Sequence, residues 1–136
     1  VLEPLLVDTN VLVDVLEDDP DWVEWSLGQL RAQSLVHALA INPVVYAELS
    51  MAFNSMEALN EVVERLGLKL LELPRPALFL AGKAFAQYRA KGGKRPKAPA
   101  DFLIGAHAAV LGCPLLTRDV KRYRNCFPGL RLVGPP

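Results

Sequence analysis

Apolar positions along the chain alternate between short continuous runs and helical spacing. Leu5-Leu6-Val7 is a brief apolar run that predicts a buried strand ending at Asp8. Helical spacing follows over Asn10–Glu17 and Asp21–Gln33, with Pro20 between the two. Val36–Ile41 predicts a second strand, broken by Asn42-Pro43. Val44–Phe53 and Ser55–Leu66 are again helical, the latter opening on a Ser55 cap and stopping at Gly67. Leu68–Leu73 predicts a third strand, closed by Pro74 and Pro76, and Ala77–Ala90 a helix. A basic loop, Lys91–Pro99, leads to a helix over Asp101–Leu111 that Gly112 stops. Leu115–Thr117 and Leu130–Val133 predict the last strands. Strands alternating with helices imply a three-layer α/β/α sandwich around a mainly parallel central sheet.

Composition narrows the class. With 136 residues, 51% apolar and 22% charged, a single ordered domain spanning 1–136 is expected. No apolar run reaches the roughly 18 residues of a membrane span, and no basic segment precedes an apolar stretch as in a signal peptide. Cys113 and Cys126 are too few for a disulfide scaffold and lack zinc-type spacing, which suits two small thiols in a reducing cytoplasm.

The net charge of zero conceals a division. Residues 1–73 carry a net −10, and residues 74–136 a net +10 with only Asp101 and Asp119 as acids. A basic half is a weak footprint for a polyanion, and the two aspartates inside it stand out. Glu48 is the only charged residue between Arg31 and Glu57. Its helical neighbours Val44, Val45, Met51 and Ala52 are apolar, as are most residues on the opposite face, so this helix is expected to be buried almost all round. Asp101 opens an alanine-rich apolar helix, and Asp8 directly follows an apolar strand. Asp8 and Asp101 have an ordinary explanation as capping or first-turn residues, and Asp119 as a turn residue. A mid-helix glutamate has none.

Geometry brings the four together. Asp8 marks the carboxyl edge of strand one, where α/β folds place their sites. The helix from Asp101 runs about 18 Å away from that edge, and the strand that ends near Asp119 returns about 16 Å. Glu48 lies in the second turn after strand two, near the same edge. Like charges about 5 Å apart cost roughly 3 kcal/mol per pair at an effective dielectric of 20. Such a cluster calls for a cation, and oxygen-only ligands favour Mg²⁺ or Mn²⁺ over zinc.

LLVDTNVLVDVL (Leu5–Leu16), the glutamate in VVYAELS (Val44–Ser50), PADFLIGAHAAVLGCPLLTRD (Pro99–Asp119) and the tail FPGLRLV together resemble the PIN-domain ribonucleases, most closely their VapC-type toxins. The resemblance spans the chain in order. It implies a PIN-like fold and a Mg²⁺- or Mn²⁺-dependent endoribonuclease whose acidic quartet falls on Asp8, Glu48, Asp101 and Asp119. It places Asn10 and Thr117 at supporting polar positions. It also implies a homodimer and a cognate antitoxin protein that reaches the acidic pocket. Tyr123 stands where relatives often carry Phe, and Asp14 falls outside the quartet.

The remaining chemistry is sparser. His37 and His107 sit among apolar neighbours and are expected in the core or an interface, not as ligands. Trp22 and Trp25 are expected to pack on the core, with a partner contact as the alternative. Lys91, Lys94, Arg95 and Lys97 immediately precede Asp101 and are candidates for RNA phosphate contacts. A phosphoaspartyl phosphatase fits poorly, because position 10 is Asn10 where a second aspartate is needed. The alternative that survives is a non-catalytic RNA- or protein-binding module on the same fold.

Overall fold

The computed structural model describes residues 2–95 and 99–136. Strands β1 (Pro4–Val7), β2 (Ala38–Ile41), β3 (Lys69–Leu70), β4 (Leu115–Leu116) and β5 (Leu132–Val133) form one sheet in the order β3-β2-β1-β4-β5. Every pairing in it is parallel. The helices are α1 (Thr9–Leu16), α2 (Val23–Ser34), α3 (Pro43–Ser50), α4 (Met56–Arg65), α5 (Arg75–Ala90), α6 (Ala100–Leu111) and α7 (Val120–Cys126). From β1 the chain steps outward to β2 and β3, then crosses back to β4 and β5 on the other side of β1. With right-handed crossovers, α1–α4 cover one face and α5–α7 the other. This is the expected sandwich.

Burial explains the central strands. Leu5, Leu6, Val7, Ala40, Ile41, Leu115 and Leu116 are all buried, as continuous apolar strands between two helical layers must be. Helix starts follow their caps. The Asn42 carboxamide accepts the Val45 amide, and the Ser55 hydroxyl accepts that of Ala58. Gly112 ends α6 in the left-handed region at φ 67°, where a side chain would be strained.

Several boundaries differ from the sequence expectation, each for a local reason. β3 is reduced to Lys69–Leu70 because it is an exposed edge strand with prolines following closely. α2 begins at Val23, not Asp21, because the Asp19 carboxylate takes the amides of Asp21 and Trp22 and holds them in a turn. β2 begins at Ala38, since Leu35 and Val36 lie in an exposed turn. α5 begins two residues early at Arg75, and Pro76 fits its first turn, which needs no proline amide.

Two larger corrections concern function. α3 stops at Ser50, and the chain turns away through Met51, Ala52 and Phe53. Met51 is 84% exposed, so the helix is not buried all round and Glu48 is half-buried at an open edge. Helix α7 was not anticipated at all: VKRYRNC buries a single side chain, Tyr123, and shows no apolar period.

An aromatic cluster fixes the elements after β3. Phe102 of α6 meets Phe85 and Tyr88 of α5 and Phe127 beyond α7, with ring centroids 5.4, 5.6 and 6.2 Å away. Gly105 of α6 makes the close approach possible. A Cβ there would lie 2.6 Å from the Phe127 ring and 3.1 Å from that of Tyr123. Gly105→Ala is therefore expected to force α7 away from α6 and lower stability by about 1–3 kcal/mol, measured by urea unfolding; an unchanged midpoint would show that the rings yield freely.

Candidate active site

Strand order reverses between β1 and β4, and the crevice at the carboxyl ends of such a pair is where open α/β sheets build sites. A cavity of about 380 Å³ opens there, lined by Asp8, Glu48, Asp101 and Asp119, with Thr9, Asn10, Arg118, Arg122 and Tyr123 among its other walls. Each carboxylate arrives on a different element. Asp8 follows β1 and caps α1, Glu48 projects from α3, Asp101 lies in the first turn of α6, and Asp119 caps α7 after β4.

Asp8 serves both purposes considered for it. Its Oδ1 accepts the Thr9 amide at 2.8 Å as a helix cap. Its Oδ2 accepts the Thr117 hydroxyl at 2.8 Å and the Asn10 carboxamide at 3.3 Å. Thr117 Oγ1 in turn accepts the Asp119 amide at 2.9 Å, and Asn10 Oδ1 accepts the Arg118 amide at 3.2 Å. Asn10 and Thr117 thus tie the end of β1 to the loop after β4. Burial raises the Asp8 pKa, and the Glu48 charge adds to this, against hydrogen bonding from Thr117.

Glu48 accepts the Thr9 hydroxyl at 2.6 Å, a partner the sequence reading passed over although it stands inside the Asp-Thr-Asn segment. The helix carrying Glu48 is pinned at its start. Asn42, buried at the α3 cap, lies 3.3 Å from His107 Nδ1 on α6. With the Asn42 amide donating, that ring nitrogen is unprotonated, in keeping with burial that lowers the His107 pKa. His107 is accordingly a core residue that sets α3 against α6. His37 is half-buried at the start of β2, 3.2 Å from the Glu3 carbonyl and away from the cavity.

Two features were not legible beforehand. Arg122 of α7 stands between the two aspartates of the basic half, its Nη1 3.5 Å from Asp101 Oδ2 and its Nε 3.1 Å from Asp119 Oδ2. Beside it, the buried Tyr123 hydroxyl lies against Asp8 without a hydrogen bond of ordinary geometry, and burial followed by the Asp8 and Asp101 charges pushes its pKa far up. The second feature backs the site. Asp14, 1% exposed, is held by a two-pronged contact from Arg118, at 2.7 and 2.9 Å, and by the Ser26 hydroxyl at 2.6 Å. Arg118 also lies 5.0 Å over the Trp22 ring, which meets Trp25 edge-on, while Trp25 packs on the core. This cluster straps the α1–α2 hairpin to the loop between Thr117 and Asp119.

Lys91, Lys94 and Arg95 are exposed on the loop after α5, where the Arg95 carbonyl accepts from Arg89. Lys97 lies outside the described residues. Among the described residues, no three His, Cys, Asp or Glu groups stand close enough to hold one ion as placed. The donor set nevertheless fits a hard divalent cation. It is all oxygen, it converges on one cavity, and Asp101 Oδ1 is buried without a hydrogen-bond partner among the described residues.

The PIN domain family model matches residues 5–127, and the chain belongs to that family. The fold is shared with solved structures at low sequence identity. A chain in VapBC2 from Rickettsia felis, bound to a DNA fragment from their promoter, superimposes with a TM-score of 0.76 at 21% identity, covering 98% of this chain and 99% of that one. DNA-bound VapBC from Salmonella typhimurium gives 0.69 at 24% identity, with 98% of each chain covered. FitAcB from Neisseria gonorrhoeae gives 0.69 at 21%, covering 96% of this chain and 97% of that one. No curated protein matches in sequence.

The raised Asp8 pKa carries a stability consequence. The native state holds the Asp8 proton more tightly than the unfolded chain, so the ionised group costs stability at neutral pH. That cost fades as pH falls through the raised pKa and is gone below the unfolded value of about 3.9. Without added metal, Asp8→Asn is expected to hold or raise the melting temperature at pH 7, with the difference closing toward pH 4. A variant that melts well below wild type at pH 7 would show that Asp8 is needed ionised for folding.

Proposed function

We propose that this chain is a Mg²⁺- or Mn²⁺-dependent endoribonuclease, a hydrolase of RNA phosphodiester bonds, and the toxin of a type II toxin–antitoxin pair. The observation that carries this is the convergence of Asp8, Glu48, Asp101 and Asp119, from four separate elements, on one cavity at the switch point of the sheet. Asp8, Asp101 and Asp119 would hold the ion, and Glu48 would bind or orient a second ion or a water. When bound, such an ion supplies positive charge to the phosphate and lowers the pKa of an attacking water. Asn10 and Thr117 fix the Asp8 carboxylate through its Oδ2, and Thr9 fixes Glu48.

Carboxylates repel a phosphate backbone, so a nucleic-acid substrate needs basic groups nearby. The exposed Lys91, Lys94 and Arg95 lead toward α6 and Asp101, and Lys97 belongs to the same basic segment. The VapBC likeness supports an antitoxin partner; a homodimer in a cytoplasmic setting completes the proposal and rests on the family resemblance of the sequence alone. No described helix is long and apolar enough to cross a membrane.

The direct test is cleavage of single-stranded RNA with and without Mn²⁺. Wild type should cut only with the ion, and Asp101→Asn should lose at least about a hundredfold in rate while keeping its circular dichroism spectrum. Folded wild type that leaves RNA intact across varied sequences with Mn²⁺ would favour the binding-module reading.

Substrate binding has its own test. Replacing Lys91, Lys94 and Arg95 with alanine in the Asp8→Asn background should weaken single-stranded RNA binding and flatten its log–log salt dependence by about 0.7 per lost contact. Identical slopes across a salt series would make the loop a solvated connection only.

A further inference from the structure

The cavity holds two cations facing four carboxylates, and their situations differ. Arg118 is committed to the buried Asp14 through both arms of its guanidinium. Arg122 has no such tie: its side chain is 46% exposed, and the contacts it makes within the cavity are to Asp101 and Asp119. It takes one oxygen from each, Oδ2 in both cases, and leaves Asp101 Oδ1 buried without a partner among the described residues. Asp119 caps α7 through backbone position alone, its carboxylate turned to Arg122 instead of to a helix amide. The guanidinium therefore sits between two carboxylates from different helices, where a shared divalent ion would have to sit.

We infer that Arg122 is a built-in counter-cation, which neutralises Asp101 and Asp119 in the ion-free protein and must be displaced for a divalent cation to bind. This rests on reading the cavity as a divalent cation site. The physical reason is the repulsion noted above. Two carboxylates brought together by α6 and α7 need positive charge at all times, including before an ion arrives. An arginine one turn along α7 from Asp119 provides it, and its half-exposed stem lets it swing out without disturbing the core. The chain thereby sets the ion affinity of its own site below the value the carboxylates alone would give.

The experiment is calorimetric titration of Mn²⁺ alone, at pH 7.5 and without RNA, into wild type, Arg122→Gln and Arg122→Lys, each checked for folding by circular dichroism. Removing the two half-exposed ion pairs that an incoming divalent ion must otherwise break should tighten binding about tenfold. Arg122→Gln is expected to show that gain, and Arg122→Lys, which keeps the charge, to stay near wild type. Melting without metal should drop for Arg122→Gln, with a larger rise on adding Mn²⁺ than wild type shows. Wild-type binding with an equal or weaker Arg122→Gln would overturn the counter-cation while leaving the divalent site intact. Equal tightening in the glutamine and lysine variants would overturn it too, since charge would not be the cause. No Mn²⁺ binding to any of the three would remove the divalent site and this inference together.

Discussion

The parallel pairing of β1 with β4 is the constraint on which the site depends. Leu6 and Val7 lie in register with Leu115 and Leu116, and the Asp8 amide donates to the Leu116 carbonyl at 2.9 Å. That one pairing lays the residue after β1 beside the residue after β4, more than a hundred positions away in the chain. The paired residues Leu6, Val7, Leu115 and Leu116 are all buried, so their register is held by packing on two faces. A slip of one residue would turn Asp8 and Thr117 to opposite sides of the sheet.

Around that seam the protein manages an unfavourable concentration of negative charge. Asp8 is tied by Thr9, Asn10 and Thr117, Glu48 by Thr9, and Asp101 and Asp119 by Arg122. The neighbouring Asp14 is buried more deeply still, yet it is fully engaged by Arg118 and Ser26 and belongs to the scaffold. The contrast separates structure from chemistry. Asp14 is neutralised by its own arginine and lies outside the cavity lining, whereas Asp101 lines the cavity with one oxygen buried and, among the described residues, unengaged, and so is equipped to take a ligand.

Most of the architecture could be read from the sequence because each central strand is a short apolar run with a clear stop, while α1, α3 and α4 open on a side-chain cap and α6 ends on a glycine. Asp8, Glu48, Asp101 and Asp119 could be singled out because they are charges in apolar surroundings, and helix and strand lengths brought them to one edge. Arg122 was invisible for the opposite reason: one base among several in a basic tail has no distinguishing context until α7 is folded against α6. α7 itself buries only Tyr123, too little for a period to show. Met51 departs from the pattern because helical spacing predicts a buried face but does not say where the helix stops, and α3 ends at Ser50.

The central claim is that the cavity lined by the four carboxylates is a divalent cation site. Anomalous scattering from a crystal soaked in Mn²⁺ tests it most directly, because it locates the ion without relying on turnover. The account predicts a manganese peak inside the cavity, coordinated by Asp8, Asp101 and Asp119, with the Arg122 guanidinium withdrawn from between the two aspartates. A well-soaked crystal with no peak in that cavity, or with manganese bound only elsewhere on the surface, would contradict it.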